Sequence, residues 1–593
     1  MSTRRSARLR GQAVQEPAIV HPSLAVEEPK KSTKRKAPAT KIADKSVAKV
    51  QKKAAGSTAS KAGKASASTP ASSTGDALSI LPSEILNLIL NFSDTKSLGR
   101  LSKTSKSYYA LVTPQLYRRI NVAVNFHAHI AKLIRTLDPH LTIEQRKQLK
   151  KEGQYKGQQE KFSSKLDPRK KPEIADHVRQ ILLGIGDPGK KHRFIVHRYA
   201  EEALKNMKNL EIVETMVATD INLLQGLIFN SRSTLRSLAI HANSYFSRFL
   251  QDWERNAKEM GITLNSKHDL TSLKSFSLTG ASIESEQKES LGKAIDFVEL
   301  EELKLGYMSD DLRLLANHLS DVFSAAHNDP TRDIKLRKLY LDVSSHSYSL
   351  SDQEKEVILD SRLRFVSSFD TLTSLVLKDY NEYPDSVQVN PDLQNSHLQA
   401  ILKHENLTKL EISYRGRASG YKIPFLSPNT VNTLIDNLPK LEEVMFAPDA
   451  EKLDEIGKIL ARALSLTSIS LYPCGTYEYG VDREAIYKSV LKSIVDGVFY
   501  HSIDRNTGKF KWEDHSKIRR VEVDFRVYEL GSKFGKAKKG MQKAERFTTE
   551  LSAPSKQKRE VFYRDITNFV HGPIESGFDP ECEWINKVEK DLD

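Results

Sequence analysis

Cysteine is nearly missing from this chain: Cys474 and Cys582 are the only two in 593 residues. That excludes a disulfide framework, and two thiols cannot build a RING-type zinc site. Neither lies in a nucleophile motif, so both read as ordinary reduced thiols. Also missing is any apolar run near the roughly 18 residues that a membrane span requires, and the N-terminus has no signal-peptide hydrophobic region. The expectation is a soluble, intracellular protein. P-loop, dinucleotide-binding glycine, H-E-x-x-H and G-x-S-x-G patterns are absent too. Asp310 and Asp311 read as a helix start, where acids favour the dipole without catalysis. The sequence therefore predicts a non-enzyme with no cofactor and no metal.

Residues 1–77 hold no aromatic residue and no sustained apolar period. Such a segment cannot bury enough surface to offset its conformational entropy, so disorder is expected. Its charge is one-sided, with 16 Lys or Arg against 5 Asp or Glu. Residues 142–172 add a net +6 and residues 531–559 a net +7. Together these stretches carry +24 of a whole-chain +15, which leaves the rest at −9. An acidic body disfavours a basic nucleic-acid groove; basic arms would touch phosphates only non-specifically. Lys30, Lys31, Lys34, Arg35 and Lys36, in PKKSTKRKAP, resemble a nuclear localisation signal, and a nuclear address, with the cytoplasm as a second location, is expected from them.

What the chain has in quantity is leucine at fixed spacing. An L-x-x-L-x-L template, with apolar replacements, recurs at Leu235/Leu238/Ile240, Leu273/Phe276/Leu278, Leu300/Leu303/Leu305 and Leu336/Leu339/Leu341. It continues at Leu372/Leu375/Leu377, Leu407/Leu410/Ile412, Leu441/Val444/Phe446 and Leu466/Ile469/Leu471. Successive starts are 38, 27, 36, 36, 35, 34 and 25 residues apart. The final alternation suits a short strand with its leucines inward, and the intervening DDLRLLANHLSDVFSAAH and PNTVNTLIDNLPKLEEV repeat apolar residues at three and four, as helices do. A strand and helix repeated cannot bury their leucines alone and stack into a solenoid. An ordinary α/β domain with a parallel sheet is the alternative. EAIYKSVLKSIVDGVFY reads as an amphipathic helix and IRRVEVDFRVYEL as one strand closing the open edge. The last segment, with Trp584 as anchor, is expected to dock as a short helix.

Ahead of the repeats lies LPSEILNLILNFSDTKSLGRLSKTSKSYYALVTPQLYRRI, residues 81–120. Pro82 fits the first turn of a helix carrying Ile85, Leu86, Ile89 and Leu90. Asp94 or Thr95 caps a second helix carrying Leu98 and Leu101, and Thr113 before Pro114 reads as the start of a third. Three helices in about 40 residues make a marginal core, so part of this apolar surface expects a partner. A strand from Ile120 to Val124 and a helix from about His127 follow. His127 and His129, two apart, are badly placed for a shared metal.

Leu81, Pro82, Glu84, Ile85, Ile89, Leu90, Leu98, Leu101, Ser102, Ser105, Lys106, Leu111, Pro114, Leu116 and Tyr117 together resemble the F-box in the form common in fungal proteins. The departure is Tyr108, where many members carry Trp. The resemblance implies docking on a Skp-family adaptor within a cullin-based ubiquitin ligase, with Leu81, Pro82, Ile85 and Ile89 packing on the adaptor. A helical subdomain packed on its own protein is the alternative. The repeats resemble an irregular leucine-rich-repeat array, though the Asn or Cys usual in the repeat turn is mostly missing. Tyr414, Arg415, Arg417 and Tyr421, then Tyr477 and Tyr479, follow repeat strands and are residue types enriched in binding hot spots, which makes them candidate substrate contacts.

The expected fold class is therefore α/β: a disordered basic tail (1–77), an F-box-like all-α three-helix segment (78–120), a linker region with a basic insertion (121–205), an irregular leucine-rich-repeat solenoid (206–530), and a basic spacer with C-terminal tail (531–593). The expected role is the substrate-recognition subunit of an SCF-type ubiquitin ligase. The rival is a nuclear scaffold or chromatin-associated repeat protein that acts without ubiquitin ligation.

Overall fold

A computed structural model describes residues 81–123, 174–184, 207–215, 221–241, 268–280, 285–306, 312–343, 352–379, 392–414, 425–472, 483–501, 516–524, 526–534, 536, 543–550 and 558–567. All of them belong to the second of two units, Ala77–Asp593, the first being Met1–Asp76.

Three helices come first: α1 (Ser83–Asn91), α2 (Thr95–Leu101) and α3 (Lys106–Tyr117). Pro82 stands at the N-cap of α1, one residue ahead of the expected first turn. Asp94 caps α2 by accepting the Lys96 and Ser97 amides at 2.8 and 2.9 Å. The third helix departs from expectation. Ser105 accepts the Tyr108 amide at 3.1 Å, so the helix starts at Lys106 and runs through Pro114. A proline only three residues from the helix end removes one N–H late in the ladder, and the Thr113 hydroxyl bonds the Tyr109 carbonyl beside it.

The strands form one sheet in chain order from β1 to β13, followed by β15 and then β14. They are β1 (Arg119–Ala123), β2 (Gln180–Gly184), β3 (Ile212–Thr215), β4 (Ser237–His241), β5 (Ser275–Thr279), β6 (Glu302–Gly306), β7 (Lys338–Val343) and β8 (Ser374–Asp379), then β9 (Lys409–Tyr414), β10 (Glu443–Phe446), β11 (Ser468–Leu471), β12 (Arg520–Val523), β13 (Arg526–Gly531), β14 (Glu545–Glu550) and β15 (Lys558–Asp565). From β1 to β12 every neighbour is parallel, which requires a crossover each time. Among the described residues the helices between strands are α4 (Ile221–Ser231), α5 (Ser285–Ala294), α6 (Leu312–His327), α7 (Asp352–Ser367), α8 (Asn395–Leu402), α9 (Pro428–Asn437), α10 (Leu453–Leu460) and α11 (Arg483–His501).

The region is solenoid-like, and its core is the leucine template. Leu238, Phe276, Leu303, Leu339, Leu375, Leu410, Val444 and Ile469 stand in register on successive strands, each buried, and the outer leucines form a second buried row beside them. Helix residues such as Leu315, Leu319, Ile401, Leu434 and Leu491 complete the same cluster. Phe323, Phe365 and Phe369 stack at centroid distances of 4.7–5.8 Å, with His404 edge-on to Phe369 at 5.4 Å.

The array is longer at both ends than the template suggested. Val178/Ile181/Leu183, Leu210/Val213/Thr215 and Ile518/Val521/Val523 occupy the same buried rows. The stretch expected to link the helices to the repeats thus contributes β1 and β2. One residue, Arg118, separates α3 from β1, and its carbonyl accepts the Arg179 and Gln180 amides at 2.9 and 3.0 Å. At the other end, IRRVEVDFRVYEL is two strands, because Asp524 takes a left-handed conformation (φ 55°) and turns the chain back. Its carboxylate accepts the Tyr487 hydroxyl at 2.6 Å. EVFYRD, the start of the last segment, is strand β15, while the helix expected around Trp584 lies outside the described residues; the basic spacer expected over 531–559 is not all loop, because its residues Glu545–Glu550 pair with β15 as β14, which takes the far edge among the described strands. Trp584, His127, His129, Asp310, Asp311 and both cysteines lie outside the described residues.

Candidate functional site

Helix α1 is apolar on two sides. Leu86 and Leu90 turn inward onto Leu98, Leu101, Leu111, Val112 and Leu116, which close the small three-helix core. On the other side Ile85, Leu88, Ile89 and Phe92, at positions i, i+3, i+4 and i+7, are 45, 52, 41 and 76 % exposed. Four large apolar side chains in one stripe on water-facing helix surface have the spacing with which a helix seats in a partner's groove. Pro82 is exposed just ahead of the stripe, Leu81 is half-buried, and Tyr108 is half-buried in α3. Of the four predicted docking residues, Pro82, Ile85 and Ile89 are thus brought to one exposed side. Leu88 and Phe92 were missed, although their spacing from Ile85 places them on that side.

A second surface is the sheet face away from the helices. Between the two buried rows, the middle residues of successive strands form a column: Glu214, Ala239, Ser277, Lys304, Tyr340, Val376, Glu411, Met445, Ser470 and Glu522. The Lys304 and Lys378 ammonium groups stand 4.5 and 5.3 Å from the Tyr340 ring centroid. Lys378 pairs with Glu411 at 3.1 Å, and the Tyr340 hydroxyl donates to the buried Asp342 carboxylate at 2.9 Å. Gly306 makes room here, since a Cβ on it would meet Thr279 Cγ2 at 3.1 Å. Glu214 is only 8 % exposed, and burial pushes its carboxyl up to about 7 against a weaker opposing pull from Lys304.

Tyr414 ends β9 beside Asp379 of β8. Arg415, Arg417, Tyr421, Tyr477 and Tyr479 lie outside the described residues, as do Lys30, Lys31, Lys34, Arg35 and Lys36. Among the described residues no group of three His, Cys, Asp or Glu could hold a metal ion, and no helix is long and apolar enough to cross a membrane.

The family model for the F-box-like domain matches residues 78–123, which are α1 to α3 and β1. The chain therefore carries an F-box-like domain, in under a tenth of its length. No curated protein matches the chain.

Proposed function

We propose that this protein is the substrate-recognition subunit of an SCF-type ubiquitin ligase, non-catalytic itself. The F-box-like helices dock a Skp-family adaptor, and through it a cullin, by way of Leu81, Pro82, Ile85 and Ile89. The solenoid-like region, read as an irregular leucine-rich-repeat array of fungal type, receives a protein substrate and holds it near a charged ubiquitin-conjugating enzyme, where proximity supplies the effective concentration. Lys30 to Lys36 serve nuclear import.

The observation that carries this reading is the exposed stripe of α1 inside the residues that match the F-box-like family. Its test is binding of the full chain to a purified Skp-family adaptor, wild type against Ile85→Asp/Ile89→Asp. Both positions lie outside the small core, so the variant should fold and bind at least about tenfold more weakly, a loss of about 1.4 kcal/mol. A wild type that melts cooperatively but does not bind the adaptor overturns the proposal and leaves the nuclear scaffold as the better account.

A further inference from the structure

Resting on the reading of the repeat region as the substrate-receiving surface, we propose that Glu214, on the open face of β3, receives a lysine or arginine side chain of the substrate.

Glu214 lies between the two core positions Val213 and Thr215, so its side chain belongs to the sheet face away from the helices. It is nine-tenths buried and has neither a hydrogen bond nor an ion pair with any described residue. Other carboxylates of this face are engaged: Glu411 by Lys378, Glu522 by Arg520 and Asp342 by Tyr340. A buried carboxyl with no partner among the described residues is costly when ionised, and burial raises Glu214 to about 7, so that near neutral pH it exchanges between its protonated and ionised forms. In the register, β2 brings Leu182 against it and no titratable group. β4 brings Ala239 and, two residues on, His241 at the exposed end of the strand, where partial desolvation pushes the imidazole below its usual range. Lys304 is the cation whose field reaches Glu214, and it does not offset the burial.

An arriving ammonium or guanidinium supplies the missing countercharge and the hydrogen bonds together. An anionic partner would bring like charge to the site. A divalent metal needs more than one carboxylate, and no such group exists among the described residues. A basic partner also matches the −9 carried by the chain outside its three basic stretches.

The test uses the full-length protein and a fluorescent oligolysine peptide at physiological salt, with oligoglutamate as control. Glu214→Gln, isosteric with the protonated carboxyl, is compared with Glu443→Gln, which removes a half-exposed carboxylate paired with Lys409 at 3.0 Å on the same sheet. Expected is a loss of about tenfold or more for Glu214→Gln and less than about twofold for Glu443→Gln. Wild-type binding should strengthen from pH 6 to pH 8 as the carboxyl releases its proton, and Glu214→Gln should flatten that rise. Equal losses in both variants, a pH-independent wild type, or no oligolysine binding by a normally melting wild type overturns the inference. Adaptor binding is measured on the same samples. If it is absent while Glu214→Gln still loses oligolysine selectively, the ligase reading falls and the basic-ligand site stands; intact adaptor binding with no Glu214 effect has the opposite meaning.

Discussion

Gly457 of α10 and Gly497 of α11 face each other backbone to backbone, so closely that a Cβ on Gly457 would lie 2.6 Å from the Ser493 carbonyl oxygen and one on Gly497 would meet the Gly457 carbonyl group. The two helices carry the last repeats before the sheet reverses direction. Neither glycine has a side chain to spare at this crossing, and the obstacle is main chain, which cannot swing aside as a flexible side chain would.

Gly457→Ala and Gly497→Ala should therefore destabilise the C-terminal repeats by about 1–3 kcal/mol through overpacking, despite alanine's better helix propensity. Chemical denaturation followed by hydrogen exchange in α10 and α11 checks this. Gly226, whose Cβ would meet nothing within 4 Å, is the control, and Gly226→Ala should be neutral or slightly stabilising.

Stability should respond to pH through two buried groups of opposite sign. His404 is fully buried, accepts the Leu372 amide at Nδ1 (3.4 Å) and donates from Nε2 to the Val366 carbonyl (3.1 Å); burial pushes it down to about 4. The unfolded chain takes up that proton below about 6.5, so its stabilisation is lost as pH falls from 6.5 towards 4. Glu214 is raised to about 7, so its contribution is complete below about 4.5 and is lost as pH rises through 7. Each displacement is worth on the order of 3 kcal/mol at full extent. Denaturation midpoints at pH 5, 6.5 and 8 should show Glu214→Gln gaining on wild type at the alkaline end, and His404→Gln, less stable overall, losing the acid-side slope.

Phe92 should be silent for folding and costly for docking. At 76 % exposure its removal takes almost nothing from the three-helix core, so Phe92→Ala should shift stability by less than about 0.5 kcal/mol. Adaptor affinity should fall severalfold. Leu90→Ala, which deletes a core side chain, should instead cost about 2–5 kcal/mol and lose adaptor binding through unfolding. Equal melting and equal adaptor affinity of Phe92→Ala and wild type would remove Phe92 from the docking surface.

The leucine rows were legible because a parallel strand against helices needs the same inward positions in every repeat, and Leu336/Leu339/Leu341 announce it without ambiguity. Thr215 hid the repeat at Leu210 by putting a hydroxyl where the template wants leucine. The Asn or Cys usual in repeat turns is mostly missing from this sequence. What serves nearby carbonyls, the hydroxyls of Thr234, Thr371, Thr408 and Thr467 bonding Leu210, Leu336, Thr373 and Glu442 at 2.6–3.1 Å, has no spacing that marks it in advance. The C-terminal turn was misread because alternation continues straight through Asp524; only a positive φ breaks it. On α1, inward Leu90 and outward Phe92 are equally apolar in sequence, and the difference emerges only when Leu98 and Val112 cover one side. Glu214 was invisible as a site, since one acid in IVET carries no motif.

The direct junction at Arg118 gives the sheet the properties of a measuring scale. With no spacer between α3 and β1, each further strand moves a bound segment by about 4.8 Å along the array. A ligand seated at β3 stands about 10 Å from the helical end, and one at β9 about 38 Å. On the proposed ligase reading, choosing which strand grips a target would set how far its modifiable residues stand from whatever the helices hold, so adding or deleting one repeat would recalibrate that reach in a fixed step.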